Sequence, residues 1–102
     1  MIHSDSIPVR LDIPWRNIDG NAIVVQPKEG VLYPLNSVAT RIWILSDGTR
    51  NVEEIVAALI SEFEGEPDEI RKDSLLFLEA LEKVSLIKTG QAEQITLSKK
   101  GS

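Results

Sequence analysis

The sequence predicts one α+β domain in which a small antiparallel three-stranded sheet is followed by three helices. Short β-branched runs, separated by turn-forming residues, occupy residues 15–35. Apolar residues then recur at helical spacing from residue 37 to about residue 84. With 102 residues, a single domain is expected. Strands followed by three helices, the last two joined by a short loop, are typical of a winged helix-turn-helix.

The strands are delimited by turn residues. A strand at residues 15–18 precedes the turn Asp19-Gly20-Asn21, whose residue types tolerate the positive φ angles of tight hairpins. The next two strands are predicted at 22–26 and 31–35. Pro34 lacks an N–H for the strand ladder, so the last of these strands should lie at an edge of the sheet.

Each helix has a recognisable beginning. Asn36 is a suitable N-cap for the first, and Asn51 with Glu54 resembles a capping box for the second. Pro67 suits the first turn of the third. Helical spacing predicts core-facing stripes, which on the first helix are Val38, Ile42 and Leu45 and on the third are Ile70, Ser74, Phe77, Leu78, Leu81 and Val84. Leu76 and Ala80 lie beside the second stripe, so the third helix carries more apolar surface than one core contact requires.

The regions outside these elements are predicted to be a lead-in and a tail. We divide the chain into a lead-in at residues 1–13, a domain at 14–88 and a tail at 89–102. Pro8 and Pro14 interrupt the lead-in, which favours an edge strand or a simple approach to the domain. A further strand is predicted around residues 94–97.

The composition argues against several classes of function. The chain has no Cys and one His, so we expect neither a disulfide framework nor a metal site nor a thiol nucleophile. No paired-acid, Ser-His-Asp or phosphate-loop pattern occurs, so we expect neither catalysis nor a cofactor. The acids of residues 62–69 lack the spacing of a calcium loop and read as a solvated face. A net charge of −5 argues against nucleic-acid binding. Without an apolar span or a secretory pattern, a cytoplasmic protein is expected.

Particular residues along the central part of the chain resemble those of a known family. They occur in order and without gaps: Pro27, Glu29, Gly30, Tyr33, Leu35, Asn36, Ala39, Ile42, Trp43, Leu45, Asp47-Gly48-Thr49-Arg50, Val52-Glu53-Glu54-Ile55-Val56, Leu59, Phe63, Asp73, Phe77, Leu78 and Leu81. In these residues the chain resembles the PqqD family, which includes the small pyrroloquinoline-quinone (PQQ) biosynthesis protein and the recognition domains of ribosomally made, modified peptides (RiPPs). Ser85 departs from the family pattern, because a Gly commonly ends the third helix there.

The resemblance implies a non-catalytic peptide chaperone. Proteins of this family bind the leader of a precursor peptide as an added antiparallel strand, in a groove between the third strand of the sheet and the third helix. They present the precursor to a modifying enzyme, often a radical S-adenosylmethionine (radical SAM) enzyme, in PQQ or peptide natural-product biosynthesis. A monomer or weak dimer, without a membrane or nucleic-acid partner, is expected.

The resemblance also implies which residues contact the leader. These are Val31, Leu32, Tyr33 and Pro34 on the strand, and Asp73, Leu76, Phe77, Ala80 and Lys83 on the third helix. Other roles remain open for several of them. Tyr33 suits the core, and Asp73 and Lys83 equally suit a solvated surface. Leu76 and Ala80 equally suit packing under an N-terminal arm or a dimer partner.

Two other functions also fit the sequence. A winged helix is also a DNA-binding fold, so a DNA-binding regulator is the alternative, with the third helix as recognition helix. Its exposed residues mix Arg71, Lys72 and Lys83 with several acids, which weakens that alternative. A module that docks on a partner protein without holding a peptide is the third possibility.

Overall fold

The computed structural model describes residues 2–91, without the side chain of Gln91. It confirms the α+β class, with a three-stranded antiparallel sheet followed by three helices, and adds a second, two-stranded sheet. The winged helix-turn-helix label stays a prediction, and the strand predicted at 94–97 lies outside the described residues. The elements in chain order are β1 (Ser6–Arg10), β2 (Trp15–Ile18), β3 (Asn21–Gln26), β4 (Val31–Pro34), α1 (Ser37–Leu45), α2 (Val52–Glu62), α3 (Pro67–Lys83) and β5 (Ile87–Gln91).

The three-stranded sheet has the order β2-β3-β4, so β4 is an edge strand as Pro34 predicts. The backbone N–H of Leu35 donates to the carbonyl of Ala22 at 2.8 Å, and Tyr33 lies opposite Val24. Backbone groups of successive residues point to opposite sides of a strand. Pro34, which lies between these two residues, and Leu32, which precedes Tyr33, therefore direct their backbone groups away from β3, toward a side where no other described strand pairs.

The second sheet pairs β1 with β5 in antiparallel register. Its strand β1 continues through Pro8, whose carbonyl accepts a hydrogen bond from the N–H of Gly48 at 3.0 Å. The missing N–H of Pro8 would lie on that same side, away from β5, so the proline costs the β1–β5 ladder nothing. Strand β5 spans the boundary at residues 88 and 89 between the predicted domain and tail, and these divisions stay predictions.

The helices begin where the sequence predicts. Asn36 caps α1, Asn51 and Glu54 form a complete capping box on α2, and Pro67 lies in the first turn of α3. Helix α3 ends in a Schellman motif, because the N–H of Leu86 donates to the carbonyl of Leu81 at 2.9 Å. Ser85 has φ 62°, the left-handed conformation that glycine adopts most easily.

The core lies between the three-stranded sheet and the helices, with Trp43 and Leu78 fully buried at its centre. Thr40 ties α1 to β3, since its Oγ1 accepts the N–H of Ala22 at 2.8 Å. Arg10 lies over the rings of both Trp15 and Trp43 and donates to the carbonyl of Trp43 at 2.9 Å. It also donates to the carbonyl of Ile44 at 2.7 Å, and a cation is favourable there because the last carbonyls of a helix carry partial negative charge. None of the described helices is long and apolar enough to span a bilayer.

Candidate functional site

One end of β4 lies against the end of α3. Gln26, which is opposite Val31 in the hairpin, is buried, and its side-chain Nε2 donates to the carbonyls of Val84 and Ser85 at 2.9 and 3.3 Å. Because both carbonyls belong to the C-terminal end of α3, the side chain holds the beginning of β4 close to that end of the helix.

The other end of β4 lies near the middle of α3. A cavity of about 390 Å³ is lined by Asn36 and Val38, which come directly after β4, and by Asp73 and Phe77 of α3. Strand β4 therefore runs along the second half of α3 in the opposite direction. We name the space between them the β4–α3 groove.

Several exposed apolar side chains belong to the elements that border the β4–α3 groove. The most exposed large apolar residues in the described part of the chain are Leu32 (61 %), Leu76 (56 %), Ile18 (50 %), Val31 and Val38. All but Ile18 belong to β4, α3 or the first turn of α1. Single exposed apolar residues are ordinary on protein surfaces, but a group of them beside an unpaired strand edge indicates a binding surface.

The predicted contact residues of α3 share one face of the helix, at spacings of three and four residues. Leu76 and Ala80 are exposed, so residues 2–13 do not cover them as an N-terminal arm would. Asp73 and Lys83 are also exposed, and neither forms an ion pair with any residue in the range 2–91. Their predicted contacts with a peptide stay predictions.

Tyr33 and Phe77 contribute to the core as well as lining the groove. Both are half-buried and pack against the core cluster. Tyr33 lies opposite the fully buried Val24, on the inner face of the sheet. The remaining predicted strand residues, Val31, Leu32 and Pro34, are exposed. Edge backbone and exposed apolar side chains are thus presented together on β4.

The sequence interpretation missed the cavity at the end of the groove. It placed Val38 in the core stripe of the first helix, but Val38 is 38 % exposed and lines the cavity instead. Residues from all three helices and their connections complete its lining: Ala39, Ile42, Leu59, Phe63, Glu64, Ile70 and Ser74. The one available signal was the position of Val38, in the first turn of a helix that follows an edge strand directly.

Ion pairs link the helices at residues outside the cavity lining. Arg71 of α3 donates to Glu53 of α2 at 3.0 Å, and Arg41 of α1 donates to Glu62 of α2 at 2.8 Å. These hydrogen bonds lower the pKa of both carboxyl groups. The pairs therefore act between helices and leave Arg71 without a free charge for a phosphate. Among residues 2–91, no three potential metal ligands converge.

Two solved structures resemble this fold. The structure described as TbiB1 in complex with the TbiA(beta) leader peptide has a TM-score of 0.71 and 27 % identity, covering 78 % of this chain and 94 % of that chain. A lasso peptide synthetase B1 complexed with the leader peptide has a TM-score of 0.69, covering 82 % of this chain and 98 % of that chain. Its identity is 18 %, so this likeness shows the fold alone. No curated protein sequence matches the chain.

The family assignment follows from a sequence model. The model described as coenzyme PQQ synthesis protein D (PqqD) matches residues 21–87, which is more than half of the chain. The matched range runs from the start of β3 to the start of β5, and so contains the whole β4–α3 groove. It confirms the resemblance found in the sequence, and the protein belongs to the PqqD family.

Proposed function

We propose that this protein is a non-catalytic peptide chaperone that binds the leader of a ribosomally made precursor peptide and presents it to a modifying enzyme. Its membership of the PqqD family supports this function. Further support comes from TbiB1, a protein of similar fold whose structure contains a leader peptide.

The observation that carries the proposal is the free edge of β4. The backbone groups of Leu32 and the carbonyl of Pro34 point away from β3, where no described strand pairs with them. An extended peptide that lies antiparallel to β4 satisfies these groups and extends the sheet, which is how strand addition supplies affinity. Pro34 contributes only an acceptor, so the pairing is centred on Leu32.

The side chains of α3 supply the second wall. Leu76 and Ala80 present apolar surface beside the edge, and burying it under a peptide stabilises the complex by about 25 cal/mol per Å² of apolar area. Asp73 and Lys83 place opposite charges at the two ends of this wall. Backbone pairing thus gives general affinity for an extended chain, and the α3 side chains give selectivity.

The kind of modifying partner is an expectation drawn from the family resemblance. We expect a radical SAM enzyme, in a pathway that produces PQQ or another peptide-derived product, with the chaperone itself cytoplasmic, free of cofactor, and monomeric or weakly dimeric. The DNA-binding alternative has no comparable support, because the exposed residues of α3 include Asp68, Glu69 and Glu79 while Arg71 is already paired.

Isothermal titration with the leader of the nearest short open reading frame tests this function. We expect micromolar or tighter binding, which Leu76→Asp abolishes because it puts a charge into the apolar wall. Ile18→Asp is the matched control, since Ile18 is 50 % exposed on β2, outside the groove. The absence of binding, or an equal loss in both variants, would contradict the proposal.

A further inference from the structure

The cavity at the end of the β4–α3 groove combines an apolar interior with an acidic rim. Its interior includes Ile42, Leu59 and Phe77, of which the first two are buried core residues. The acidic residues Asp73 and Glu64, both exposed, belong to the same lining. At about 390 Å³ the cavity is large enough for one long side chain, and it lies within the size range of ligand pockets.

Neither rim carboxylate has a partner within the described residues 2–91. The side chains of Asp73 and Glu64 make no hydrogen bond or ion pair there, whereas the acids Glu53 and Glu62 are held by arginines of other helices. The arginines Arg41 and Arg71 are thereby engaged with those two acids. Two unpaired carboxylates beside an apolar cavity form a site of net negative potential.

Arginine and lysine side chains match this arrangement. Each has an apolar stem that buries well and a cationic head that remains near water or an acid. An aliphatic or aromatic side chain would fill the interior but leave the carboxylates without a counter-charge. Hydrogen bonds from a cationic head to a carboxylate are stronger than those between neutral groups.

We propose that this cavity receives the side chain of an arginine or lysine in the leader, at a position N-terminal to the segment that pairs with β4. The inference rests on the proposed leader-binding function. An antiparallel peptide passes β4 from Pro34 toward Val31, so its N-terminal part emerges beside Pro34. Asn36, two residues beyond, lines the cavity, so the next part of the peptide reaches the rim.

Selection from a displayed library of random peptides tests the inference without knowledge of the natural leader. The full chain is immobilised, and only peptides whose retention is lost with Leu76→Asp are analysed, which restricts them to the groove. We expect arginine or lysine to be enriched at one fixed position, on the N-terminal side of an apolar segment.

The charge-reversed variant Asp73→Lys/Glu64→Lys should change the enrichment at that position to aspartate or glutamate. The variant Glu69→Lys/Glu79→Lys is the matched control, since it changes the net charge equally at exposed α3 positions outside the cavity lining. If charge reversal impairs folding, Asp73→Asn/Glu64→Gln replaces it, and should weaken a selected peptide about fivefold, as expected for a partly exposed ion pair.

The outcomes separate the two proposals. Groove-dependent peptides with an apolar or aromatic residue at this position, or with a cation preference that charge reversal leaves unchanged, would overturn the arginine or lysine assignment while leaving leader binding intact. A library without any peptide that depends on Leu76 would count against leader binding itself, and the assignment would be lost with it.

Discussion

The two edge strands of one sheet, β2 and β4, differ in what lies beside them. Both have one unpaired side among the described residues. Strand β2 carries the exposed polar residues Arg16 and Asn17, which make an edge less suitable for another strand. Strand β4 lies beside α3 with its exposed Leu76. An unpaired edge thus offers hydrogen bonds in both cases. Apolar side chains also line a pocket beside β2, formed by Ile18, Ile23 and Val25 among others. Among the described elements, only β4 combines its edge with the exposed apolar flank of a helix, which we expect to select a peptide and to exclude water from those bonds.

Replacement of Gln26 by Leu should have the largest effect on stability. It removes the hydrogen bonds that hold the β4 side of the sheet to the end of α3, and leaves carbonyls in a partly buried place without their partner. We expect a loss of about 2 kcal/mol in the free energy of unfolding, measured by urea denaturation, and weaker leader binding. Asn17→Leu, which removes only a local turn bond in the β2 hairpin, should cost less than about 1 kcal/mol and leave binding unchanged. Equal losses would mean that Gln26 does not position the groove.

Proline substitutions distinguish the two edges directly. Leu32→Pro removes the N–H that faces the proposed leader, and proline is tolerated where an N–H does not join the ladder. We expect leader affinity to fall about tenfold in titration calorimetry, because one of the few central backbone hydrogen bonds is lost. Asn17→Pro on β2 is the control and should change affinity less than about twofold. A larger effect on β2 than on β4 would show that the leader uses the other edge.

The end of α3 offers a stabilising substitution. Ser85 has a left-handed conformation, so Ser85→Gly should raise the free energy of unfolding by about 0.5–1 kcal/mol without loss of a described side-chain contact. Thermal denaturation measures this gain. Leader affinity should remain the same, because the backbone carbonyl of Ser85 still accepts the bond from Gln26. A glycine variant that is less stable than the wild type would contradict the inference that the left-handed conformation of Ser85 is unfavourable for serine.

Removal of the Arg41–Glu62 ion pair should have the smallest effect on the free energy of unfolding. Glu62→Gln is expected to lower stability by less than about 0.5 kcal/mol, since both side chains are substantially exposed. The hydrogen bond from Arg41 lowers the pKa of Glu62 in the folded protein. The pair's contribution to the free energy of unfolding is therefore present above the pKa of Glu62 in the unfolded chain, and it disappears as the pH falls through the lowered pKa of the folded state. The difference between variant and wild type, measured by urea denaturation across this range, should therefore vanish in acid. If the stability difference persisted in acid, it would come from packing of the Glu62 side chain and not from the ion pair.

Local patterns predicted most of the fold. The caps Asn36 and Asn51, and the edge position implied by Pro34, depend on neighbouring residues and are confirmed. The β1–β5 sheet was not predicted, because Lys88, Thr89 and Gly90 show no apolar alternation and Pro8 obscures its partner. The pairing of β5 with a strand near the other end of the described chain is a long-range property that periodicity does not contain.

The candidate site was predictable only in part. The edge strand and the surplus apolar flank of α3 could be read from spacing, whereas the cavity joins residues of three helices and appears only when they pack. The sequence also could not tell that Arg71 is held by Glu53, 18 positions away, while the side chain of Asp73 has no partner among residues 2–91. Which charges are available to a ligand depends on such tertiary pairs.

Amide hydrogen exchange at Leu32, measured by NMR with and without the leader, tests most directly whether the leader pairs with β4. The amide of Asn17 is the internal reference, because it lies on the outer side of the other edge strand. We predict that exchange at Leu32 slows strongly when the protein is saturated with leader, while exchange at Asn17 does not change. Unchanged exchange at Leu32 in a saturated complex, or protection at Asn17 instead, would contradict strand addition at β4.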